Sequence, residues 1–252
     1  MIELAELTKR YGRTLAVDHL DLRVAGGEIF GFIGPNGAGK TTTIRMMAGI
    51  LGPTEGTVQI DGIGMADRPE AAKRVIGFIP DRPFIYEKLT GMEFMRFIAD
   101  LYGCGNGTFR KRAEGLLIRF SLYDWADHLI EAYSHGMKQR LVIASALLHD
   151  PKVIIVDEPM VGLDPAGIRL VKDLFRELAA RGKTIFMSTH TLQIAEDLCD
   201  RIGIIHKGRL VALGTTGDLR GTALLKEGDL EEVFLRLTGK ASPPSGDALF
   251  GQ

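Results

Sequence analysis

The sequence predicts an α/β fold with a mostly parallel sheet, an antiparallel β subdomain near the N-terminus and an inserted α-helical subdomain. Three short apolar runs, over 29–33, 153–156 and 184–187, are typical of parallel strands that are covered on both faces. Helical patterns lie between these runs. Strands that alternate with helices in this way specify a mostly parallel sheet with helices on both sides.

The first eighty residues are predicted to form strands and one helix. Apolar and polar residues alternate over 20–24, which indicates a half-buried antiparallel strand. A helix is predicted over 42–51, ended by Gly52 and the proline that follows it. Two further strands are predicted over 58–60 and 75–79. This mixture favours a β subdomain beside the parallel sheet.

The pattern becomes helical between about 84 and 148. Thr90 and Glu93 have the spacing of a capping box at the start of one helix. A second helical pattern begins at Leu116, and a third spans 137–148. Because strand character returns directly afterwards, this block is interpreted as a helical insertion in an α/β core.

These boundaries predict one domain over 1–238, followed by a flexible tail over 239–252. Within the domain we expect three parts: an α/β core with its β subdomain over 1–81 and 151–215, a helical subdomain over 82–150, and a C-terminal helical extension over 216–238. The tail is rich in small and polar residues, which disfavours a packed structure.

The composition excludes several classes of protein. Lys and Arg together number 31 and Asp and Glu 32, so a formal net charge of -1 gives no global attraction to nucleic acid or anionic lipid. Cys104 and Cys199 form no CxxC pair, which favours a reducing compartment. The polar N-terminus is unlike a secretory signal, and no apolar run has the roughly 18–20 residues of a membrane span. We therefore expect a soluble, cytosolic protein.

The segment 34–41 (GPNGAGKT) matches the pattern G-x-x-x-x-G-K-[ST] of a phosphate-binding P-loop. Its glycines let backbone N–H groups surround phosphate oxygens at the N-terminus of the following helix. A Gly-rich turn is the alternative, but a chance match is only on the order of a few per cent. The predicted nucleotide-binding residues are Gly34, Pro35, Asn36, Gly37, Ala38, Gly39, Lys40, Thr41 and Thr42, with Lys40 bridging the β- and γ-phosphates and Thr41 bound to Mg²⁺.

The segment 153–158 (VIIVDE) is a buried strand that ends in two carboxylates. Ligands bind at the carboxyl ends of parallel strands, where Asp157 is predicted to hold Mg²⁺ and Glu158 to act as general base on the attacking water. Alone, such a segment is often a strand that runs into a loop. A P-loop in the same chain favours the functional interpretation.

The segment 133–140 (YSHGMKQR) narrows the class of protein. Ser134 can cap the helix that follows, and Gly136 allows a phosphate to approach the N-terminus of that helix. By itself the segment is an ordinary helix start. Its position, about twenty residues before Asp157 and at the end of a helical insertion, distinguishes it.

With these three motifs, the sequence resembles the ATP-binding subunits of ABC transporters over about 2–236. The family signature LSGGQ is represented by Tyr133 to Met137: Ser134 and Gly136 are kept, His135 replaces the first glycine and Met137 the glutamine. In the family this segment closes over the γ-phosphate held by a partner subunit. The resemblance therefore implies that two such domains meet to hydrolyse ATP.

The resemblance assigns roles to four more residues. It implies that Tyr11 stacks on adenine, that Asp164 belongs to a loop coupling the two sites of the dimer, and that His190 contacts the γ-phosphate. Packing, helix capping and a structural role are the respective alternatives. Asp81 stands where the family usually has a glutamine that contacts Mg²⁺ and water; it is predicted to bind Mg²⁺, with a simple loop position as the alternative.

The resemblance is greatest to ABC-2-type exporters, on the segments 80–83 (PDRP) and 231–234 (EEVF). It implies ATP and Mg²⁺ as cofactors, a second ABC ATPase domain, identical or different, and integral membrane permease subunits at the cytoplasmic face of the membrane, with docking by 82–89. No nucleic acid is expected. The alternatives are a soluble ABC-type ATPase of translation or DNA repair and a P-loop small-molecule kinase. The kinase leaves the segment 133–140 without a role.

Overall fold

The computed structural model describes residues 1–82, 84–222 and 234–235. The predicted tail over 239–252 and most of the predicted C-terminal extension beyond 222 lie outside this part. Among the described residues, no helix is both long enough and apolar enough to cross a membrane.

In the described part of the chain, ten strands form two sheets. In chain order the strands are β1 (Ile2–Tyr11), β2 (Thr14–Val24), β3 (Ile29–Ile33), β4 (Glu55–Ile60), β5 (Ile63–Gly64), β6 (Ile76–Ile79), β7 (Val153–Asp157), β8 (Thr184–Thr189), β9 (Arg201–His206) and β10 (Arg209–Gly214). The first sheet has the order β2-β1-β4-β5 and is antiparallel. The second has the order β10-β9-β3-β8-β7-β6, and only its β10–β9 pair is antiparallel. The predicted α/β fold with a mostly parallel sheet is confirmed.

The α-helices of the described residues are α1 (Lys40–Met47), α2 (Pro69–Arg74), α3 (Gly91–Leu101), α4 (Asn106–Arg119), α5 (His135–Leu147), α6 (Pro165–Ala180), α7 (Leu192–Leu198) and α8 (Thr216–Thr222). Helices α3 to α5 follow β6 and precede β7, two strands that pair directly with each other. The helical insertion is therefore the crossover connection between two neighbouring parallel strands.

The parallel sheet separates two hydrophobic clusters. On one face, Ile154 and Ile185 pack with the helices of the insertion and with α6. On the other face, Phe30, Phe32 and Phe186 pack against the antiparallel sheet and α1. The ring of Phe186 lies 5.5 Å from that of Phe30 and 5.3 Å from that of Phe32, centroid to centroid. Each such aromatic pair adds about 0.5–1.5 kcal/mol to the stability from burial.

Helix α1 is shorter than predicted. The sequence predicted a helix as far as residue 51 with its stop at Gly52, whereas α1 ends at Met47. Gly49 has a left-handed φ of 65°, and the N–H of Ile50 donates to the carbonyl of Arg45 over 2.9 Å. This is the glycine-terminated helix end of a Schellman motif, so the first glycine that could adopt a left-handed conformation ended the helix.

Helix α4 begins ten residues before the predicted start at Leu116. Its inward face consists of Phe109, Ala113 and Leu117, which are spaced by four and are buried. Only one large apolar residue stands in the first half of this helix, so the helical pattern was too sparse to recognise. Helix α2 was also not predicted, because its six residues include a single buried one, Ala72.

Candidate functional site

A polar cavity of about 360 Å³ lies where β3 and β7 end at the same edge of the parallel sheet. Most of the predicted site residues line it. The lining residues are Ala16, Asn36, Gly37, Gly39, Lys40, Thr41, Thr42, Asp81, Asp157, Glu158 and His190. The cavity therefore brings together side chains that are up to 174 positions apart in the sequence, from Ala16 to His190.

The loop between β3 and α1 requires glycine at two positions. A Cβ on Gly34 would lie 2.4 Å from the carbonyl oxygen of Ile205, and one on Gly39 would lie 2.6 Å from that of Ala16. Gly39 also has a φ of 114°, a conformation that side chains disfavour. The loop is thus fitted closely between the first strands and β9, and its backbone faces the cavity at the start of α1.

Lys40 is the cation of this cavity. Its side chain is largely buried, and Nζ donates to the carbonyl oxygens of Gly34 at 2.6 Å and Pro35 at 3.3 Å. Burial lowers the pKa of the Lys40 amine, while the nearby carboxylates of Glu158 and Asp157 act in the opposite direction. These carboxylates favour a charged amine in a site that otherwise disfavours it.

Side-chain oxygen atoms that suit a hard cation such as Mg²⁺ line the same cavity. Asp157 is 3% exposed and accepts a hydrogen bond from the hydroxyl of Ser188, which fixes its carboxylate. Thr41 and Asp81 also line the cavity. No group of three His, Cys, Asp or Glu residues in the described ranges could hold a metal by itself. Two carboxylates and a hydroxyl nevertheless suit Mg²⁺, which takes few protein ligands and completes its shell with water and substrate phosphates.

Glu158 and His190 form a pair at the mouth of the cavity. The Nδ1 atom of His190 lies 2.9 Å from Oε1 of Glu158, and the two side chains are 59% and 17% exposed. Glu158 has a left-handed φ of 53°, which costs a residue with a Cβ roughly 1–2 kcal/mol. Backbone strain of this kind is concentrated at functional sites, where it aims a side chain.

Tyr11 does not line this cavity. Its ring, at the end of β1, is 49% exposed, and the amine of Lys9 lies 5.4 Å from the ring centroid. Ala16, on β2, lines the cavity instead and was not singled out from the sequence, because a small apolar residue in a strand has no distinctive pattern. Ser188 was also missed as the partner of Asp157, although it directly precedes the Thr189-His190 pair.

The segment 134–137 and Asp164 lie outside the cavity but close to each other. The hydroxyl of Ser134 accepts a hydrogen bond from the N–H of Met137 at 3.2 Å and so caps α5. The carboxylate of Asp164 accepts one from the N–H of Gly167 at 2.8 Å and so caps α6. The His135 ring covers the loop before α6: a Cβ on Gly162 would lie 2.2 Å from its Cδ2 atom. Gly136 also approaches this loop, since a Cβ there would lie 3.3 Å from the carbonyl oxygen of Gly162.

Comparison with known proteins identifies a single family. The family model described as ABC transporter matches residues 17–161. The daunorubicin/doxorubicin resistance ATP-binding protein DrrA of Streptomyces peucetius is 41% identical over 221 residues, which are 88% of this chain and 67% of that protein.

Solved structures give the same result. The ATP-binding subunit of an ABC transporter matches with a TM-score of 0.90 and 36% identity over 94% of this chain and 99% of that one. A dimeric, post-hydrolysis state of the ATP-binding cassette MJ0796 bound to ADP and Pi matches with a TM-score of 0.75 and 29% identity, over 85% and 98%.

Proposed function

This chain belongs to the ABC transporter family of ATP-binding, ATP-hydrolysing proteins, and from that premise we propose that it drives an ABC-2-type exporter through separate membrane subunits. The ATPase part of this proposal is supported most directly by the cavity that Lys40, Asp157, Glu158 and His190 share. A P-loop kinase has no support from the comparisons, which find ABC cassettes.

We propose distinct roles for the residues on the phosphate side of the cavity. Lys40 leaves its two carbonyl partners and binds the β- and γ-phosphate oxygens, with the loop backbone from Gly34 to Gly39 around them. Thr41, Asp157 and Asp81 would hold Mg²⁺ with their side-chain oxygens. When bound, the ion would supply positive charge beside the phosphates. Tyr11 is proposed to stack on adenine from outside the cavity wall.

Glu158 and His190 are proposed to handle the attacking water. The contact of 2.9 Å between them supports a division of labour in which Glu158 accepts the proton and His190 orients the water and donates to the γ-phosphate. The partial exposure of both side chains leaves them within reach of water. The hydrogen bond from Ser188 fixes the carboxylate of Asp157. This supports a role for Asp157 as a metal ligand, separate from the role of Glu158 as the base.

A second ATPase domain is needed to complete the site. Ser134, His135, Gly136, Met137 and Asp164 lie outside the cavity of their own chain, which supports a role against the cavity of a partner. The dimeric form of a related cassette supports the same arrangement. The partner cassette is proposed to be a second copy of this chain or a different one.

The membrane partner is proposed to dock on the segment that follows Asp81. Phe84 is 79% exposed and Tyr86 60%, and the ring of Tyr86 makes an edge contact with that of Phe97. Exposed aromatic residues of this kind mark binding surfaces. The same proposal includes a core over 1–81 and 151–215, a helical subdomain over 82–150 and a C-terminal helical extension over 216–238. It also includes a location at the cytoplasmic face of a membrane. Export is supported by the relative named for resistance to daunorubicin and doxorubicin.

The substitution Glu158→Gln tests the catalytic assignment. Because the amide keeps the size of the side chain but accepts no proton, we expect ATP binding to persist, hydrolysis to be nearly abolished and an ATP-bound dimer to accumulate. Glu70→Gln, at an exposed position on α2, is the control and should hydrolyse ATP at the wild-type rate. Hydrolysis at the wild-type rate by Glu158→Gln would show that another residue is the base.

A separate experiment tests the transporter proposal. The chain is expressed together with the membrane proteins encoded beside it, and co-purification from detergent is measured for wild type and for the double substitution Phe84→Ser with Tyr86→Ser. We expect a membrane chain to co-purify with the wild type only. Binding to ribosomes or DNA in place of a membrane chain would favour the soluble ATPase instead.

A further inference from the structure

A second cavity of about 280 Å³ lies at the opposite edge of the parallel sheet from the cavity that contains Lys40, which we name the ATP cavity. Asp150 and Pro151, which precede β7, and Lys183, which precedes β8, form its base. Helix α4 of the insertion forms one wall and α6 the other. We name it the α4–α6 cavity; it shares no lining residue with the ATP cavity.

The charges of the α4–α6 cavity are predominantly positive. Its cationic lining residues are Lys111, Arg112, Arg119, Arg181 and Lys183. Asp150 pairs with both Lys183, at 2.7 Å, and Arg112, at 3.3 Å. Glu177 is likewise shared by two of the arginines. Five cations around two carboxylates leave three positive charges uncompensated, and Lys111 has no ion-pair partner among the residues that the structure describes.

The excess of positive charge lowers the pKa of both carboxylates. A hydrogen bond from Lys183, followed by its charge and that of Arg112, lowers the pKa of Asp150. A hydrogen bond from Arg119, with further help from Arg181, lowers the pKa of Glu177. Each carboxylate is thus already paired with two cations, and an anionic ligand would supply the negative charge that the cavity itself lacks.

The remaining lining of the α4–α6 cavity is apolar. Leu116, Leu147, Leu174 and Leu178 line it, and the last two belong to α6. An inorganic anion would contact the cations but gain nothing from this surface, while an uncharged apolar molecule would leave the excess positive charge of the cavity uncompensated. A ligand that satisfies both parts has an anionic group joined to a hydrocarbon or ring.

We propose that the α4–α6 cavity binds a small, free amphiphilic anion, in which one phosphate or carboxylate is joined to an apolar group. The volume is near the lower limit of small-molecule sites, which favours a compact ligand. Such a ligand contacts α4 and α6 at once and so ties the helical insertion to the sheet. The site is independent of ATP, and its test does not depend on the proposed catalytic roles.

Calorimetric titration of the full chain with octyl phosphate, below its micelle concentration and without nucleotide, tests the proposal. Octanoate should bind comparably, and inorganic phosphate and uncharged octyl glucoside at least tenfold more weakly. The double substitution Lys111→Gln with Arg112→Gln should weaken octyl phosphate binding at least tenfold. Exposed ion pairs such as Arg112–Asp150 add little to stability, so this variant should fold.

The chain offers a matched control. Lys73 and Arg74 are also an adjacent Lys-Arg pair, exposed on α2 and outside the cavity, and their replacement by glutamine should leave octyl phosphate binding unchanged. Lys111→Gln alone serves if the double variant does not fold. Absence of octyl phosphate binding, equal binding by octyl glucoside, equal binding by the Lys111 and Arg112 variants, or displacement by a non-hydrolysable ATP analogue would each overturn the proposal.

Discussion

His149 is expected to make the stability of this protein fall in mild acid. Its ring stacks on that of Tyr102, with centroids 3.7 Å apart and planes 11° from parallel. Its Nε2 atom lies 2.9 Å from the carbonyl oxygen of Ile76 and so has to hold the hydrogen of the neutral ring. A second proton would go to Nδ1, which is buried and has no hydrogen-bond partner among the described residues. Burial accordingly lowers the pKa of His149 from 6.5 to about 4, against the opposing effect of the Ile76 carbonyl.

The sign and size of the effect follow from this pKa. Because the folded pKa is lower than the unfolded one, the unfolded chain binds the proton first, and stability is lost as pH falls from about 6.5 towards about 4. Near pH 5 the unfolded imidazole is almost fully protonated and the folded one is mostly neutral. This difference in protonation lowers the free energy of unfolding by about 2 kcal/mol. Because His149 is only partly buried, we expect a loss of about 1–2 kcal/mol between pH 8 and pH 5 from this residue.

Urea unfolding near pH 8 and near pH 5 measures this loss. His149→Phe keeps an aromatic ring against Tyr102 but cannot be protonated. Between pH 8 and pH 5 the variant should therefore lose about 1–2 kcal/mol less free energy of unfolding than the wild type. His128→Phe, at an exposed position, should follow the wild type. All other titrating groups are common to the three proteins. An equal loss of stability in wild type and His149→Phe would refute this account of the residue.

Three further predictions concern the loop before α6, a helix cap and the metal. Gly162→Ala should slow ATP hydrolysis, because the new Cβ would displace the His135 ring, and should leave the affinity of the monomer for ATP unchanged. Phosphate release measures the hydrolysis rate, and titration with a fluorescent nucleotide measures the affinity. Thr90→Ala should lower the free energy of unfolding by about 1 kcal/mol, since it removes the hydrogen bond to the N–H of Glu93, and Thr90→Ser should restore it. Chelation of Mg²⁺ should abolish hydrolysis, and Asp157→Asn should raise the Mg²⁺ concentration needed for half-maximal rate; an unchanged requirement would exclude Asp157 as a ligand.

The central strands were predictable because their hydrophobicity is local. The runs that became β3, β7 and β8 are continuous and apolar, and buried parallel strands need that property along their whole length. Helix boundaries were less predictable. The end of α1 depends on which of two nearby glycines adopts a left-handed conformation, and the sequence does not distinguish Gly49 from Gly52.

In the candidate site, residues in local motifs were easier to predict than contacts between distant ones. Lys40 and Asp157 belong to segments whose strand context places them at one sheet edge. The contact between Glu158 and His190 depends on the left-handed backbone of Glu158, which no sequence pattern reveals. The contact of His135 with Gly162 joins two loops that are far apart in the sequence, so only the folded chain shows it.

The order of strands in the parallel sheet gives Asp81 and Asp157 different freedom. Asp157 ends β7, which has β8 on one side and β6 on the other, whereas Asp81 follows β6, the edge strand, which pairs with β7 alone. Edge hydrogen bonds open more readily than central ones, so amide exchange with deuterium should be faster in β6 than in β7. Asp157 is thus held by a central strand of the sheet. Asp81 follows the edge strand, whose hydrogen bonds open first when the helical insertion moves.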